Sequence, residues 1–319
     1  MENNCSIDTH AHLWSETYLE LLAKAGSPDT QVAKNMGAGI ITEEIENRIK
    51  MMDIAGVKYQ VLSATPQSPQ WGSPDEALEL AKMINNLYAS IINKYPDRFI
   101  AYGAVPLPYT EEAILEGKRV INELGFKGIA VNTIIQNEVA ISDDRFSPFF
   151  EAMNELSTLI YIHPTGCGAN SDMINDYHLE WVIGAPVEDT IAPLQLLKKD
   201  FPRRYPNLRF HIAHLGGALP FLLQRIEDNY SDWQAFKSSP TNDLQSRFWF
   251  DTANFHEPSL ICSNESLGNS QLLLGSDFPY FQNENYTRAV SYIKQSSLSE
   301  DEKENILRNN AMELYHLDN

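Results

Sequence analysis

Short apolar runs rich in β-branched residues alternate along the chain with longer segments that have the spacing of amphipathic helices. Apolar runs of four to eight residues between turn-forming residues indicate strands, and apolar positions three and four apart indicate helices. The pattern predicts strands at residues 6–9, 59–64, 99–105, 127–132, 159–163, 208–213, 248–252 and 272–276. Strands that alternate with helices are typical of a parallel α/β fold, and this number predicts a (β/α)8 TIM barrel.

Capping signals mark the starts of several intervening helices. The run Ser73-Pro74-Asp75-Glu76 combines a capping box with proline at the first helical position. Ser299 and Glu302 repeat the box at the start of the C-terminal helix. Thr42 is the predicted cap of an earlier helix, which we expect to end at Gly56.

We predict a single domain over residues 1–319, because no repeat, low-complexity tract or linker interrupts the pattern. A chain of 319 residues that is 43% hydrophobic can bury a large core. Two connections are longer than a barrel requires: residues 13–41 after strand one and residues 164–189 after strand five. Both leave the C-terminal ends of strands, where barrel enzymes build their sites, so we expect these insertions to wall a pocket.

The charge balance restricts the partners of the chain. With 24 basic and 43 acidic residues the net charge is -19, so the phosphates of nucleic acids and of anionic membranes would meet a repulsive field. We therefore expect no nucleic acid and no membrane partner, and no apolar run has the length needed to span a bilayer. A small anionic substrate is still compatible with the charge, because a few arginines in a cleft can outweigh distant surface charge.

Cysteine usage and the N-terminus predict a cytoplasmic protein. The three cysteines have no CxxC spacing, so we interpret them as free thiols in a reducing compartment. The run Met1-Glu2-Asn3-Asn4 has no basic region and leads into no apolar stretch, which argues against secretion.

The first strand carries the pair His10 and His12. Residues two apart in a strand point to the same face, so the two imidazoles converge and form half of a metal site. Later strands end at His163, His214 and Asp277, so all five side chains should gather at the C-terminal mouth of the barrel. A structural role for several of these histidines is the alternative.

His211 lies three residues before His214, at the opposite parity of its strand. We therefore expect His211 to pack against the outer helices.

A set of longer motifs runs over nearly the whole chain. They are Arg48-x-x-x-Met52-Asp53-x-x-Gly56-Val57, Gln60-Val61-Leu62-Ser63, Trp181-Val182-Ile183-Gly184-Ala185-Pro186-x-Glu188-x-Thr190, His214-Leu215-Gly216-Gly217-Ala218-Leu219-Pro220-Phe221, Asp251-Thr252-Ala253, His256-x-Pro258, Gly275-Ser276-Asp277-Phe278-Pro279-Tyr280 and Asn310-Ala311-Met312-Glu313-Leu314-Tyr315. With these motifs the chain resembles the amidohydrolase superfamily and, within it, the 2-amino-3-carboxymuconate-6-semialdehyde decarboxylase family.

The resemblance implies one divalent metal per chain, bound by His10, His12, His163 and Asp277, with a water completing the coordination shell. Three imidazoles and a carboxylate suit Zn²⁺, and Mn²⁺ is the alternative ion. The fourth strand ends in Val131-Asn132 where binuclear relatives place a bridging lysine, so a second metal is not expected.

The resemblance also assigns catalytic roles to His214 and Asp277. His214 would act as base and acid, accepting a proton from the metal-bound water. Service as a further metal ligand is the alternative for His214.

Four residues match substrate-binding positions of the family. Arg48 and Arg225 align with arginines that bind substrate carboxylates, the second across the interface of a homodimer. Trp181 matches an aromatic residue of the pocket, and His256 matches a histidine near the site. The alternatives are helix-surface ion pairs for the arginines, a core position for Trp181 and a loop-surface position for His256.

The implied activity is zinc-dependent, non-oxidative decarboxylation of an unsaturated or aromatic carboxylic acid, a small-molecule carboxylate substrate. After His163 the chain reads Pro164-Thr165-Gly166-Cys167-Gly168 where the decarboxylase has a Trp-Asp pair, so we expect a different substrate. The same scaffold supports a second hypothesis, a hydrolase or hydratase acting on a lactone, ester, amide or C=C bond. A barrel that has lost activity and only binds a ligand is the third.

Overall fold

All the predicted barrel strands are present in the computed structural model, which describes residues 5–317. The strands, labelled in chain order, are β1 Ser6–His12, β2 Val57–Ser63, β3 Phe99–Ala104, β4 Gly128–Asn132, β5 Leu159–His163, β6 Arg209–Ile212, β7 Phe248–Asp251 and β8 Leu272–Leu273. They pair in parallel in the order β1 to β8. The predicted (β/α)8 TIM barrel is therefore confirmed.

Backbone contacts between β1 and the residues that follow β8 bring the barrel close to closure. The Thr9 amide donates to the Leu274 carbonyl at 2.8 Å, and the Asp277 amide donates to the His10 carbonyl at 2.9 Å. A further parallel bridge joins Ala11 and Phe278. This seam places Asp277 directly beside the two histidines of β1.

Helices cover the outside of the barrel. They are α1 Glu16–Lys24, α2 Thr42–Ala55, α3 Pro74–Lys94, α4 Thr110–Asn122, α5 Ser147–Glu155, α6 Asp172–Asn175, α7 Ala185–Lys198, α8 Phe201–Arg204, α9 Leu219–Trp233, α10 Pro240–Arg247, α11 Glu257–Leu267, α12 Glu284–Lys294, α13 Glu300–Glu304 and α14 Asn310–Tyr315. Both predicted capping boxes are formed, at Ser73 and at Ser299. Thr42 is the first residue of α2 and Ile41 occupies the cap, while Gly56 ends the helix with φ 79° as predicted.

The buried apolar side chains form two groups. The larger lies between the strands and the surrounding helices, and the smaller fills the barrel interior around residues such as Ile7, Val61 and Leu273. Burial of this apolar surface is the main favourable term in folding. Within residues 5–317, no helix combines the length and the apolar character that crossing a membrane requires.

Both predicted insertions contain short helical elements. The segment after β1 carries α1 and the 3₁₀ turn Thr30–Ala33, and the segment after β5 carries α6 and the π-helical turn Glu180–Gly184. A small antiparallel hairpin, Ile134–Ile135 with Val139–Ala140, follows β4 and was not predicted. The single domain over 1–319 stays a prediction, and residues 1–4, used above to argue against secretion, lie outside the described residues together with 318–319.

Candidate active site

Four predicted side chains, contributed by β1, β5 and the segment after β8, meet at the C-terminal mouth of the barrel. His10, His12, His163 and Asp277 each offer one ligand atom, and these atoms all lie within 4.8 Å of one another. The Nε2 atoms of His10 and His12 are 3.2 Å apart. Asp277 Oδ1 lies 3.3 Å from His10 Nε2 and 3.2 Å from His12 Nε2. The structure therefore brings together the whole predicted ligand set.

The partners of the Nδ1 atoms fix which nitrogen of each imidazole carries the proton. His10 Nδ1 lies 3.0 Å from the Asp251 carboxylate, and His163 Nδ1 lies 2.7 Å from the Pro164 carbonyl. Both partners are acceptors, so each Nδ1 must donate, and Nε2 carries the lone pair of the neutral ring. His12 Nδ1 lies 3.0 Å from Ser63 Oγ, and that hydroxyl donates to the Ala11 carbonyl, which gives His12 the same tautomer.

This arrangement fits a cation. Three Nε2 lone pairs and a carboxylate oxygen face one another in a buried space, and His163 Nε2 has no hydrogen-bond partner among the described residues. Buried polar atoms are normally satisfied, and facing lone pairs repel unless a positive charge lies between them. Three imidazole nitrogens and one carboxylate oxygen also match the donor set of a single divalent ion with an open position.

The pKa shifts in this cluster have clear causes. Burial lowers the pKa of His12 to about 4 and that of His163 well below its ordinary value. Burial also opposes protonation of His10, but the carboxylates of Asp251 and Asp277 outweigh it and raise the His10 pKa to about 9. Because a ligand must be unprotonated at the coordinating atom, an ion that binds at neutral pH displaces that proton from His10.

His214 lies beside this cluster in a left-handed turn that follows β6, at φ 51°. Its Nδ1 is 2.9 Å from Oδ2 of Asp189, a buried residue of α7, and its Nε2 is 3.7 Å from Asp277 Oδ2. Burial disfavours the imidazolium, but the charges of Asp189 and Asp277 outweigh burial and hold the His214 pKa well above its ordinary value. The arrangement orients Nε2 toward the ligand cluster and equips it to hold and release a proton.

A cavity of about 610 Å³ opens over the cluster. Its lining residues are Val32, His163, Trp181, Val182, Ala185, Pro186, His214, Ala253, Asn254, Asp277, Tyr280 and Phe281. Both insertions contribute to this wall, as predicted. None of the described lining residues is a lysine or an arginine.

Trp181 lines the cavity, 42% exposed, with its ring 6.4 Å from the ring of Tyr280. Substrate binding by Trp181 stays a prediction. Arg48 is only 1% exposed. Its Nη1 donates to Gln60 Oε1 at 2.9 Å, and its Nη2 donates to the His12 carbonyl at 2.7 Å. These contacts favour a role in holding β1, and substrate binding by Arg48 stays a prediction.

Two other predicted site residues lie apart from the cluster in this chain. Arg225 is exposed on α9 and does not line the cavity. His256 is exposed at the start of α11, where its Nδ1 lies 2.9 Å from Ser259 Oγ. Their substrate-binding roles stay predictions.

The prediction for His211 is wrong. Its ring is fully buried inside the barrel, with Nε2 3.1 Å from Asp251 Oδ2 and Nδ1 2.9 Å from the Tyr102 hydroxyl. The parity argument failed because β6 ends at Ile212, so His214 belongs to a turn and its direction says nothing about His211.

Sequence reasoning also missed two carboxylates. Asp251 receives hydrogen bonds from His10 and His211, and Asp189 contacts His214. Asp251 ends β7 and begins the Asp251-Thr252-Ala253 motif, so the motif and the strand terminus were the available signals.

Comparisons with known proteins agree with this geometry. The sequence profile of the amidohydrolase family matches residues 7–317. The 2-amino-3-carboxymuconate-6-semialdehyde decarboxylase of Dictyostelium discoideum is 31% identical over 98% of this chain and 92% of its own length. The gamma-resorcylate decarboxylase of Rhizobium sp. strain MTP-10005 is 29% identical over 86% of this chain and 87% of its own.

A third relative is a hydratase. The 2-keto-4-carboxy-3-hexenedioate hydratase of Sphingobium sp. strain SYK-6 is 30% identical over 85% of this chain and 82% of its own length.

Two solved structures are similar over nearly their full length. A 2,6-dihydroxybenzoate decarboxylase complexed with 2,6-dihydroxybenzoate has a TM-score of 0.85 at 25% identity, covering 98% of this chain and 99% of the other. A dihydroxybenzoic acid decarboxylase from Polaromonas sp. JS666, with bound manganese and the inhibitor 2-nitroresorcinol, has a TM-score of 0.85 at 25% identity, covering 98% and 97%. The chain therefore belongs to the amidohydrolase family, and it is an enzyme of that family.

Proposed function

We propose that this protein is a metal-dependent, non-oxidative decarboxylase of an aromatic or conjugated carboxylic acid. One observation carries the proposal: three Nε2 lone pairs and the Asp277 carboxylate converge at the cavity, with His214 beside them. The similarity to decarboxylases over nearly the whole chain supports this reaction class.

The reaction places a requirement on the substrate. The bond between the carboxylate and the adjacent carbon breaks, its electron pair stays on that carbon, carbon dioxide leaves, and a proton replaces it. The substrate must therefore contain a ring or conjugated carbonyl that accepts the electron pair. The cavity wall, which includes Trp181, Tyr280 and Phe281, suits a flat unsaturated ring.

His214 is the proposed proton donor to carbon. Its Nδ1 is held by Asp189, so Nε2 remains directed toward the cavity and carries the proton to be transferred. The neighbouring carboxylates favour the protonated ring, and protonated His214 also supplies positive charge near the substrate carboxylate.

His10, His12, His163 and Asp277 are the proposed ligands of one divalent ion. When bound, the ion would supply a Lewis acid for an oxygen of the substrate. The donor set favours zinc, and the manganese in the Polaromonas decarboxylase keeps manganese as the alternative.

Hydration or hydrolysis is the second candidate function. The similarity to the Sphingobium hydratase favours it, because a conjugated acid can gain water at the same kind of site. Fold and ligand set do not distinguish the two reactions.

The predicted homodimer and the cytoplasmic location remain parts of this proposal. Arg225 would reach a partner's cavity only in a dimer, since in its own chain it is exposed on α9 and does not line the cavity.

The proposal is tested by incubating the protein, loaded with zinc or with manganese, with 2,6-dihydroxybenzoate and a panel of other unsaturated carboxylic acids in D₂O. We expect carbon dioxide and product in equal amounts, with deuterium at the carbon that lost the carboxylate. His214→Asn should remove turnover, and His316→Asn, which changes an exposed histidine outside the cavity, should retain it. Turnover without carbon dioxide release would replace the proposal with hydration or hydrolysis.

A further inference from the structure

A chain of buried polar side chains runs from the C-terminal helix to the candidate metal site. The Tyr315 hydroxyl contacts the Tyr102 hydroxyl, which lies 2.9 Å from His211 Nδ1. His211 Nε2 lies 3.1 Å from Asp251 Oδ2, and the same oxygen lies 3.0 Å from His10 Nδ1. We call Tyr315, Tyr102, His211 and Asp251 the polar relay.

The donor directions along the relay follow from its Asp251 end. The Asp251 carboxylate accepts, so His211 Nε2 donates and His211 Nδ1 carries the lone pair. Tyr102 must then donate to His211, and its oxygen accepts the Tyr315 proton. Every hydrogen bond of the relay therefore points toward Asp251.

Burial of the relay carries a cost in folding free energy. Its members are all at most 2% exposed, and they sit among the apolar residues of the barrel interior, such as Ile7, Val61 and Leu273. Buried polar groups reduce stability unless each is paired, and a directional network of them specifies one arrangement. Such an arrangement fixes the position of whatever contacts its end.

The end of the relay contacts a candidate metal ligand. Asp251 Oδ1 accepts from the amides of His214 at 3.3 Å and Ala253 at 3.1 Å, which leaves Oδ2 to hold both His211 and His10. His211 thus shares the oxygen that sets the orientation of the His10 ring and directs its Nε2 lone pair to the metal position.

We propose that the polar relay positions His10 and thereby couples the docking of α14 to metal affinity. This inference rests on the proposed metal site. Tyr102, His211 and Tyr315 are positioning residues, because they act through Asp251 and His10.

The barrel offers a matched control for a test. Tyr161 is a second buried tyrosine, its ring 5.0 Å from that of Tyr102 and 4.5 Å from that of His211. Its hydroxyl has no hydrogen-bond partner among the described residues. Tyr161→Phe therefore removes a buried hydroxyl from the barrel interior but breaks no hydrogen bond of the relay.

The experiment measures zinc affinity by competition with a coloured chelator, in the full-length wild type and in Tyr102→Phe, Tyr315→Phe, their double variant and Tyr161→Phe. Loss of a partner one step behind a metal ligand weakens affinity about 10- to 100-fold, so at two or more steps we expect about 3- to 10-fold for Tyr102→Phe and Tyr315→Phe. The double variant should bind zinc as Tyr102→Phe does, because the Tyr315 effect passes through Tyr102. Tyr161→Phe should match the wild type.

Three outcomes contradict the inference. Equal zinc affinity in Tyr102→Phe and Tyr161→Phe would contradict the role of the relay and leave the proposed metal site standing. Fully additive losses of zinc affinity in the double variant would do the same. A wild type that binds no zinc, manganese or cobalt overturns the proposed metal site together with the relay. Thermal unfolding of the metal-free proteins separates lost folding from lost affinity.

Discussion

At the residue scale, the carboxylate of Asp189 is one of two negative charges that favour the protonated ring of His214. Asp189 is fully buried, and its Oδ2 lies 2.9 Å from His214 Nδ1, the ring nitrogen that is not directed toward the ligand cluster. Burial raises the pKa of Asp189 to about 7, and its contact with His214 opposes that rise. The negative charge of Asp189 therefore adds to that of Asp277 in raising the pKa of His214.

Asp189→Asn tests this pair. Removing the negative charge lowers the pKa of His214, so at a given pH less of the protonated ring is present. If protonated His214 delivers the proton, kcat should fall about 100-fold and its alkaline limb should move to lower pH. The pH profile of kcat is the measurement. Glu188→Gln is the control, because the neighbouring buried carboxylate of Glu188 accepts hydrogen bonds from Thr133 and Thr165 instead of His214. This variant should leave the alkaline limb of the kcat profile in place. An alkaline limb that does not move in Asp189→Asn would contradict the role of His214 as proton donor.

The sequence predicted the placement of a residue correctly where strand geometry alone determines which way its side chain points. His10 and His12 share a face because they lie two apart within β1. Asp189 and Asp251 were missed because their partners come from other elements of the barrel, and no spacing along the chain encodes such a contact. Arg48 lies in a family motif, but the motif does not determine whether the guanidinium donors face a cavity or the His12 carbonyl.

At the element scale, the segment after β5 shapes the cavity through one close contact. Gly166 has φ 78°, and a side-chain carbon there would lie 2.2 Å from the Trp181 ring. Glycine is therefore needed both for the left-handed backbone conformation and for the close contact with the Trp181 ring. This segment is also where the chain departs from the decarboxylase motif, so it is the element expected to set substrate choice.

Gly166→Ala should displace Trp181 toward the cavity. We expect KM to rise about 10-fold, since small displacements of positioning groups are costly, while zinc affinity stays unchanged. Gly125→Ala is the matched control, because Gly125 has φ 68° with no atom within 4 Å of an added carbon. Both variants should lose about 1–2 kcal/mol of unfolding free energy from backbone strain. Equal KM values in the two variants would show that Trp181 does not limit binding.

The elements were predictable because apolar runs and capping residues are local signals. The ends of the strands were less predictable. Strand β1 extends to His12 because its polar residues face the barrel interior. Strand β8 ends at Leu273, earlier than its apolar run indicated. The hairpin at 134–140 was missed because a two-residue strand has no period to detect.

At the scale of the whole molecule, closure of the barrel assembles the site. His10 and Asp277 are separated by most of the chain, and the seam between β1 and the end of β8 puts the Asp277 amide 2.9 Å from the His10 carbonyl. The alternation of strands and helices predicted this closure, and with it that the five candidate side chains gather at one mouth. The choice of four of them as ligands came from the resemblance. Assembly with a second copy is not encoded in such a pattern, so the homodimer could be expected only from resemblance.

The metal content of the purified protein tests the central claim most directly. Elemental analysis should compare the wild type with Asp277→Ala and with His256→Ala, an exposed histidine outside the cluster. We expect about one zinc or manganese ion per chain in the wild type and in His256→Ala, and loss of the ion in Asp277→Ala, since a catalytic site of this donor set holds one ion. A wild type purified without chelator that contains no divalent ion, and gains none on addition of zinc or manganese, would contradict the account.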